Sequence, residues 1–172
     1  RAEQPEIVTV QVEAIRHHWT DPQIEPTHVS YINAHQYLSF DLVTGRVDDD
    51  YLLRNYLHLH GVTGSALAWF QENAVRFDIL GANFYPWSYG EVVQNSRGRF
   101  YWRHRQVPGS ALGEVLRTAY ARYQMPIMVT ETSVRGDLVQ RARWMDETVA
   151  SVAQLRREGL PIIGYTWFPL NT

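Results

Sequence analysis

The chain has 172 residues, 45% of them hydrophobic and 20% charged, and a net charge of -2. That is too apolar for disorder and fits one globular domain; no basic field invites nucleic acid or an anionic membrane, so neither is an expected partner. The length falls short of the roughly 200 residues of a complete (β/α)8 barrel, and no apolar run approaches the ~20 residues of a membrane span.

Cysteine is absent, which removes disulfides, thiolate metal sites and cysteine nucleophiles. All 16 basic residues are Arg, so Schiff-base and P-loop lysine chemistry are excluded too. The chain opens at Arg1 with no signal peptide; the expectation is a cytoplasmic protein whose true N-terminus lies upstream.

Residues 7–12 are β-branched and short, and predict a buried strand ending at Glu13-Ala14. A polar, Pro-containing stretch follows over 17–26. Apolar spacing predicts a helix over 29–43, stopped by Gly45, and a second over 51–60 behind Asp48-Asp49-Asp50. A third spans 65–73. Residues 79–84 read as a strand closed by Tyr85-Pro86, and 87–108 as a long loop. A helix runs from Ser110 to Tyr123. Pro126 opens a strand that ends at Glu131. Asp137 starts a helix of about twenty residues, closed by Gly159, and a last strand spans 162–167. Strands alternating with helices imply right-handed crossovers and a parallel sheet. The near-continuous apolar strands suggest a sheet covered on both faces.

In such sheets function gathers where the strands end. The shortlist is Glu13, Asn83, Tyr85, Glu131 and Trp167, with His17 just past a strand end as a further substrate contact. Paired carboxylates suit acid/base or nucleophilic work on glycosidic bonds. Amide and phenol groups bond hydroxyls, and Trp stacks on the flat face of a sugar. Two acids leave a compact site using Glu13 and Glu131 together as one reading. His58 and His60 sit at a helix C-terminus, where the dipole favours His, so neither a metal nor another cofactor is expected.

Three segments carry a resemblance. The run from Asp78 to Tyr85, DILGANFY, resembles the sixth strand of family 1 glycoside hydrolases. The run from Pro126 to Ser133, PIMVTETS, resembles their seventh, and Gly164 to Leu170, GYTWFPL, their eighth. The resemblance implies an α/β fold: residues 1–172 as one incomplete (β/α)8 barrel domain, a partial TIM barrel of roughly strands five to eight. It implies that Glu131 is the nucleophile of a retaining β-glycosidase. Tyr85 would hold that carboxylate, and Asn83 would line the sugar site. The family Trp of the eighth strand falls at Phe168, with Trp167 one residue earlier and Pro169 in place of the usual Ser.

The family's acid/base ends its fourth strand in an Asn-Glu pair that has no counterpart here. Glu13 matches no family catalytic position. The acid/base is therefore expected in an upstream segment, and the chain alone should turn over little or no β-glycoside, its expected carbohydrate partner. The rival reading is a non-catalytic sugar-binding or scaffold domain derived from a glycosidase. Open strand edges of a partial barrel would invite self-association.

Overall fold

The computed structural model describes residues 7–20 and 26–169. In chain order the elements are β1 (Val10–Ala14), β2 (His17–Thr20), α1 (Pro26–His35), α2 (Leu38–Val43), α3 (Arg54–Leu59), α4 (Gly64–Glu72), β3 (Ile79–Phe84), β4 (Tyr89–Gln94), β5 (Phe100–Arg105), α5 (Leu112–Tyr123), β6 (Ile127–Thr132), α6 (Leu138–Arg157) and β7 (Ile162–Trp167). The order β1-β3-β6-β7 makes one four-stranded sheet in which every neighbour is parallel. The fold is α/β and matches part of a (β/α)8 barrel. Beyond the strand ends, β2, β4 and β5 form a second sheet.

Side chains alternate across the main sheet, and one set makes the core. Leu80, Ala82 and Phe84 of β3, Ile127 and Val129 of β6 and Ile162 of β7 are buried against Phe40, Leu112, Leu116, Ala119, Trp144 and Leu155 from the helices. Phe84 stacks on Trp144 at 5.7 Å. A smaller cluster joins Val47, Tyr51, Leu53, Leu57 and Leu67.

The opposite face carries Val12, Gly81, Met128, Thr130 and Gly164. A Cβ on Gly81 would lie 2.7 Å from Val12 Cγ2 and 3.1 Å from Thr130 Cγ2, so glycine lets the neighbouring side chains close over β3. Val10 and Val12 are each 41% exposed. Among the described residues, then, the apolar strands are covered on the helix face and open on the other.

Several elements depart from expectation. The helix predicted over 29–43 breaks into α1 and α2 at Gln36-Tyr37; the break brings both Tyr37 and Phe40 into the core. The predicted helix over 51–60 keeps only Arg54–Leu59, with Gly61 (φ +86°) beyond its end. The predicted loop over 87–108 holds the antiparallel pair β4 and β5. Its turn is fixed by Asn95, whose Oδ1 accepts from the Arg97 and Arg99 amides, and by Gly98 at φ +74°. The polar stretch after His17 supplies β2, parallel to β4; residues 21–25 of that stretch lie outside the described residues. Asp137 caps α6 as expected, in a reciprocal box with Gln140.

One buried charge ties the helical layer together. Asp41 is fully buried. It accepts from Arg122 Nη2 at 2.6 Å, Tyr123 OH at 2.7 Å and Tyr51 OH at 3.1 Å. Burial, reinforced by the Asp41 charge, pushes both phenols well above the usual tyrosine range, so they stay neutral donors. At the other end of the sheet, Asp78 accepts from the Thr9 amide at 2.8 Å and its hydroxyl at 2.9 Å, joining β1 to β3 where they start. No helix among the described residues is long and apolar enough to cross a membrane.

Candidate active site

The geometry of the site turns on one irregularity in β6. Along this strand Ile127 and Val129 face the helices, whereas Met128 and Thr130 face the open side. Strict alternation would send Glu131 to the helices. Instead the register with β3 jumps: Ala82 pairs with Val129, and Asn83 with Glu131. Thr130 is the extra residue of a β-bulge, a device that re-aims a side chain. Glu131 therefore shares the open side with Asn83 and Tyr85. Thr132 turns to the helices, where its Oγ1 accepts from Trp144 Nε1 at 3.0 Å.

The consequence is a short hydrogen bond. Tyr85 OH donates to Glu131 Oε2 at 2.7 Å. Burial, and secondly that bond, push the Tyr85 phenol well above its ordinary range. It stays a proton donor to the carboxylate and does not compete as a base. Thr130 Oγ1 donates to Asn83 Oδ1 at 2.7 Å. That bond orients the amide and leaves its NH2 group available to a ligand.

Tyr85 itself is fixed from both sides. Its amide donates to Ser88 Oγ at 2.9 Å, and the Ser88 amide donates back to the Tyr85 carbonyl at 2.8 Å. The Trp87 ring lies parallel to the phenol, 3° between planes and 4.9 Å between centroids. Beside this pair opens a cavity of about 340 Å³. Phe168, Ser133, Arg135 and Arg141 help to line it, and no carboxylate is among the described residues that do. The Phe168–Pro169 peptide is cis.

The remaining shortlisted residues lie elsewhere. Trp167 pairs with Thr132 and packs against the core, with Arg141 5.7 Å over its ring. It is Phe168, 48% exposed, that reaches the cavity. Alternation along β7 is the reason: the two aromatics are adjacent and face opposite ways.

Glu13 pairs with Ala82, a core residue, so it faces the helical side, opposite to Glu131. It lines a separate cavity of about 710 Å³ with Arg16, His18, His35, Leu38 and Trp102. The sheet thus sets Glu13 and Glu131 on opposite faces, which a compact site using both does not lead one to expect. His17 lies 3.4 Å from Glu114 and beside Tyr89, over the start of α5 and away from the cavity beside Tyr85. The ring Nδ1 atoms of His58 and His60 each lie 2.8 Å from a backbone carbonyl, those of Val62 and Tyr56.

Sequence reasoning passed over Trp87, Thr130 and the two arginines of the cavity. Trp87 had a signal, since Tyr85-Pro86 announces a turn that carries the next side chain back over the strand end. Thr130 had none, because a bulge leaves no mark in composition.

The four-stranded parallel sheet and its helices have the fold of part of a (β/α)8 barrel. Three solved structures of Thermotoga maritima share the fold. Its family 1 β-glucosidase in complex with isofagomine lactam has a TM-score of 0.78 at 16% identity, over 98% of this chain and 43% of that one. Its β-glucosidase in complex with glucoimidazole gives 0.76 at 15% identity, over 94% and 41%. The family 1 β-glucosidase gives 0.74 at 14% identity, over 94% and 40%. The chain thus spans about two-fifths of the length of these relatives. No protein-family model and no curated protein matches the sequence.

Proposed function

We propose that the chain is the C-terminal half of a retaining β-glycoside hydrolase domain of the family 1 kind, with Glu131 as the nucleophile. The observation that carries this reading is the 2.7 Å Tyr85–Glu131 bond beside an aromatic-walled cavity. Similarity to β-glucosidase folds over nearly the whole chain supports it.

In the first step a Glu131 carboxylate oxygen attacks the anomeric carbon. The glycosidic C–O bond breaks, and the leaving oxygen takes a proton from an acid/base carboxyl about 5–5.5 Å away. That group belongs to an upstream segment of a longer polypeptide. In the second step water, deprotonated by the same group, displaces Glu131 and restores both carboxyls. Tyr85 serves by fixing the carboxylate through its hydrogen bond, which a charged acceptor strengthens. Asn83 offers its NH2 to a sugar hydroxyl, and Trp87 and Phe168 supply flat apolar surface.

The test is made on a polypeptide carrying this segment with its upstream half. Glu131→Gln is expected to lower turnover of an aryl β-glycoside by about 10³-fold or more. Unchanged turnover in that variant refutes the assignment. Sugar binding with no hydrolysis in the unaltered polypeptide points to the non-catalytic reading instead.

A further inference from the structure

We infer that β5 is an interface strand: two copies of the chain pair through it, edge to edge and antiparallel, with Trp102 opposite the partner's Trp102. The inference is independent of the glycosidase reading of Glu131.

β5 is the outer strand of the sheet β2-β4-β5. One edge pairs with β4 in an unbroken register, from Gln94 opposite Phe100 to Tyr89 opposite Arg105. On the other edge, among the described residues, no backbone group of β5 bonds to any further segment. The whole strand is exposed, with Phe100 at 38%, Tyr101 at 49% and Trp102 at 44%. Soluble proteins usually protect such an edge with proline, a bulge or free charge. β5 has no proline and no bulge, and its aromatic residues favour strand pairing. Its two arginines are held by one acid: Arg103 Nε and Arg105 Nε donate to Glu91 Oε2 at 2.8 and 2.7 Å.

The order of residues selects the partner. The aromatics Phe100, Tyr101 and Trp102 are followed by the bases Arg103, His104 and Arg105. Two copies related by a two-fold axis normal to the sheet keep their faces, so opposed residues differ by an even number in sequence. An axis at Trp102 sets Tyr101 opposite the partner's Arg103 and Phe100 opposite the partner's His104, and each pair occurs twice. A guanidinium attracts the face of a phenol ring, and the two indoles meet at the centre. Arg103 can keep its Nε bond to Glu91, because the ring meets the flat face of the guanidinium. The one like-charge pair, Arg99 with the partner's Arg105, falls past the strand end, where Glu91 holds Arg105. Moving the axis one residue either way would set Arg103 against the partner's Arg103 or the partner's Arg99, which costs stability. A second copy of the chain carries the matching order by construction.

The test uses the 172-residue chain, whose lack of cysteine makes single-cysteine variants clean probes. Sedimentation at about 200 µM should show a dimer that dissociates on dilution, with the Kd on the order of 10–100 µM that suits a small interface. Tyr101→Arg sets like charges against the partner's Arg103 and should raise Kd by about tenfold or more, whereas Tyr101→Glu should keep the dimer. Under mild oxidation Trp102→Cys should form a disulfide-linked dimer well before Leu138→Cys, a control on α6 at a site 84% exposed. A monomer at the higher concentration overturns the inference. A dimer weakened alike by both Tyr101 variants, or by neither, also overturns it and places the contact at another edge, such as β1 or β7. So does equal cross-linking of Trp102→Cys and Leu138→Cys.

Discussion

Two glutamates stand near the ends of parallel strands, Glu13 on β1 and Glu131 on β6, and they do different things. Glu131 meets a phenol at 2.7 Å beside an aromatic cavity. Glu13 points the other way, toward α1 and α2, among Arg16, His18 and His35. Residue type and position along the strand are nearly the same. The difference is one bulge residue, Thr130, which shifts the facing of everything after it in β6 and has no equivalent in the β1–β3 register.

The contrast can be broken or sharpened by mutation, and the largest effect should come from the acids themselves. In a polypeptide with a complete barrel, Glu131→Gln is expected to lower kcat/KM by about 10³-fold or more, and Glu13→Gln by less than about threefold. Comparable losses in the two would mean that both acids serve one site. Next comes the phenol. Tyr85→Phe should lower kcat by about 10- to 100-fold, the worth of one hydrogen bond to a charged group, with KM nearly unchanged. A loss confined to KM would reassign Tyr85 to substrate binding.

A smaller change is expected at the stacked ring: Trp87→Ala should raise KM by about five- to tenfold through lost sugar contact. Titration of glycoside binding in the same variant checks it. The smallest effect belongs to the Glu13 side. His18 is 8% exposed, and its burial pushes its pKa below the ordinary value of 6.5. The unfolded chain therefore takes up a proton near pH 6.5 that the folded chain resists. Its contribution to stability is full above that pH and falls as the solution is acidified. Thermal melts of His18→Gln between pH 7.5 and 5.5 should show a flatter dependence than the parent.

Much of the fold is legible in the sequence. The strands at 79–84 and 162–167 match the observed bounds, because short apolar runs closed by Pro and Gly admit few readings. The long helix to Arg157 follows from its Asp137 cap and its Gly159 end. Glu131 stood out because it follows a strand with no loop between. The facing of side chains was harder. Period-2 alternation assigns a face only if the register is unbroken, and no residue announces the break at Thr130. Trp167 is shortlisted because it ends a strand, whereas facing makes Phe168 the aromatic that reaches the cavity. The β4–β5 pair resembles a loop in sequence because Arg and Gly dilute its strand residues; the turn chemistry of Asn95 and Gly98 is the signal that marks it.

The Asp41 cluster on α2, away from the cavity, has the opposite character. Its carboxylate is satisfied by three partners from other segments, and removing it would leave Arg122 half-buried without its counter-ion. Loss of such a partner typically costs about 3–5 kcal/mol.

The bulge also makes the candidate site a matter of parity. Drawing the strand straight with every residue kept would exchange the roles of Glu131 and Thr132. A hydroxyl would then face the cavity, and a carboxylate would be pressed against Trp144 in the core. Deleting Thr130, the extra residue, would instead keep Asn83 opposite Glu131 and leave the facing as it is. Loss of Thr130 should therefore leave the site facing the same way, whereas loss of one further residue from Met128–Val129 should turn Glu131 toward the helices.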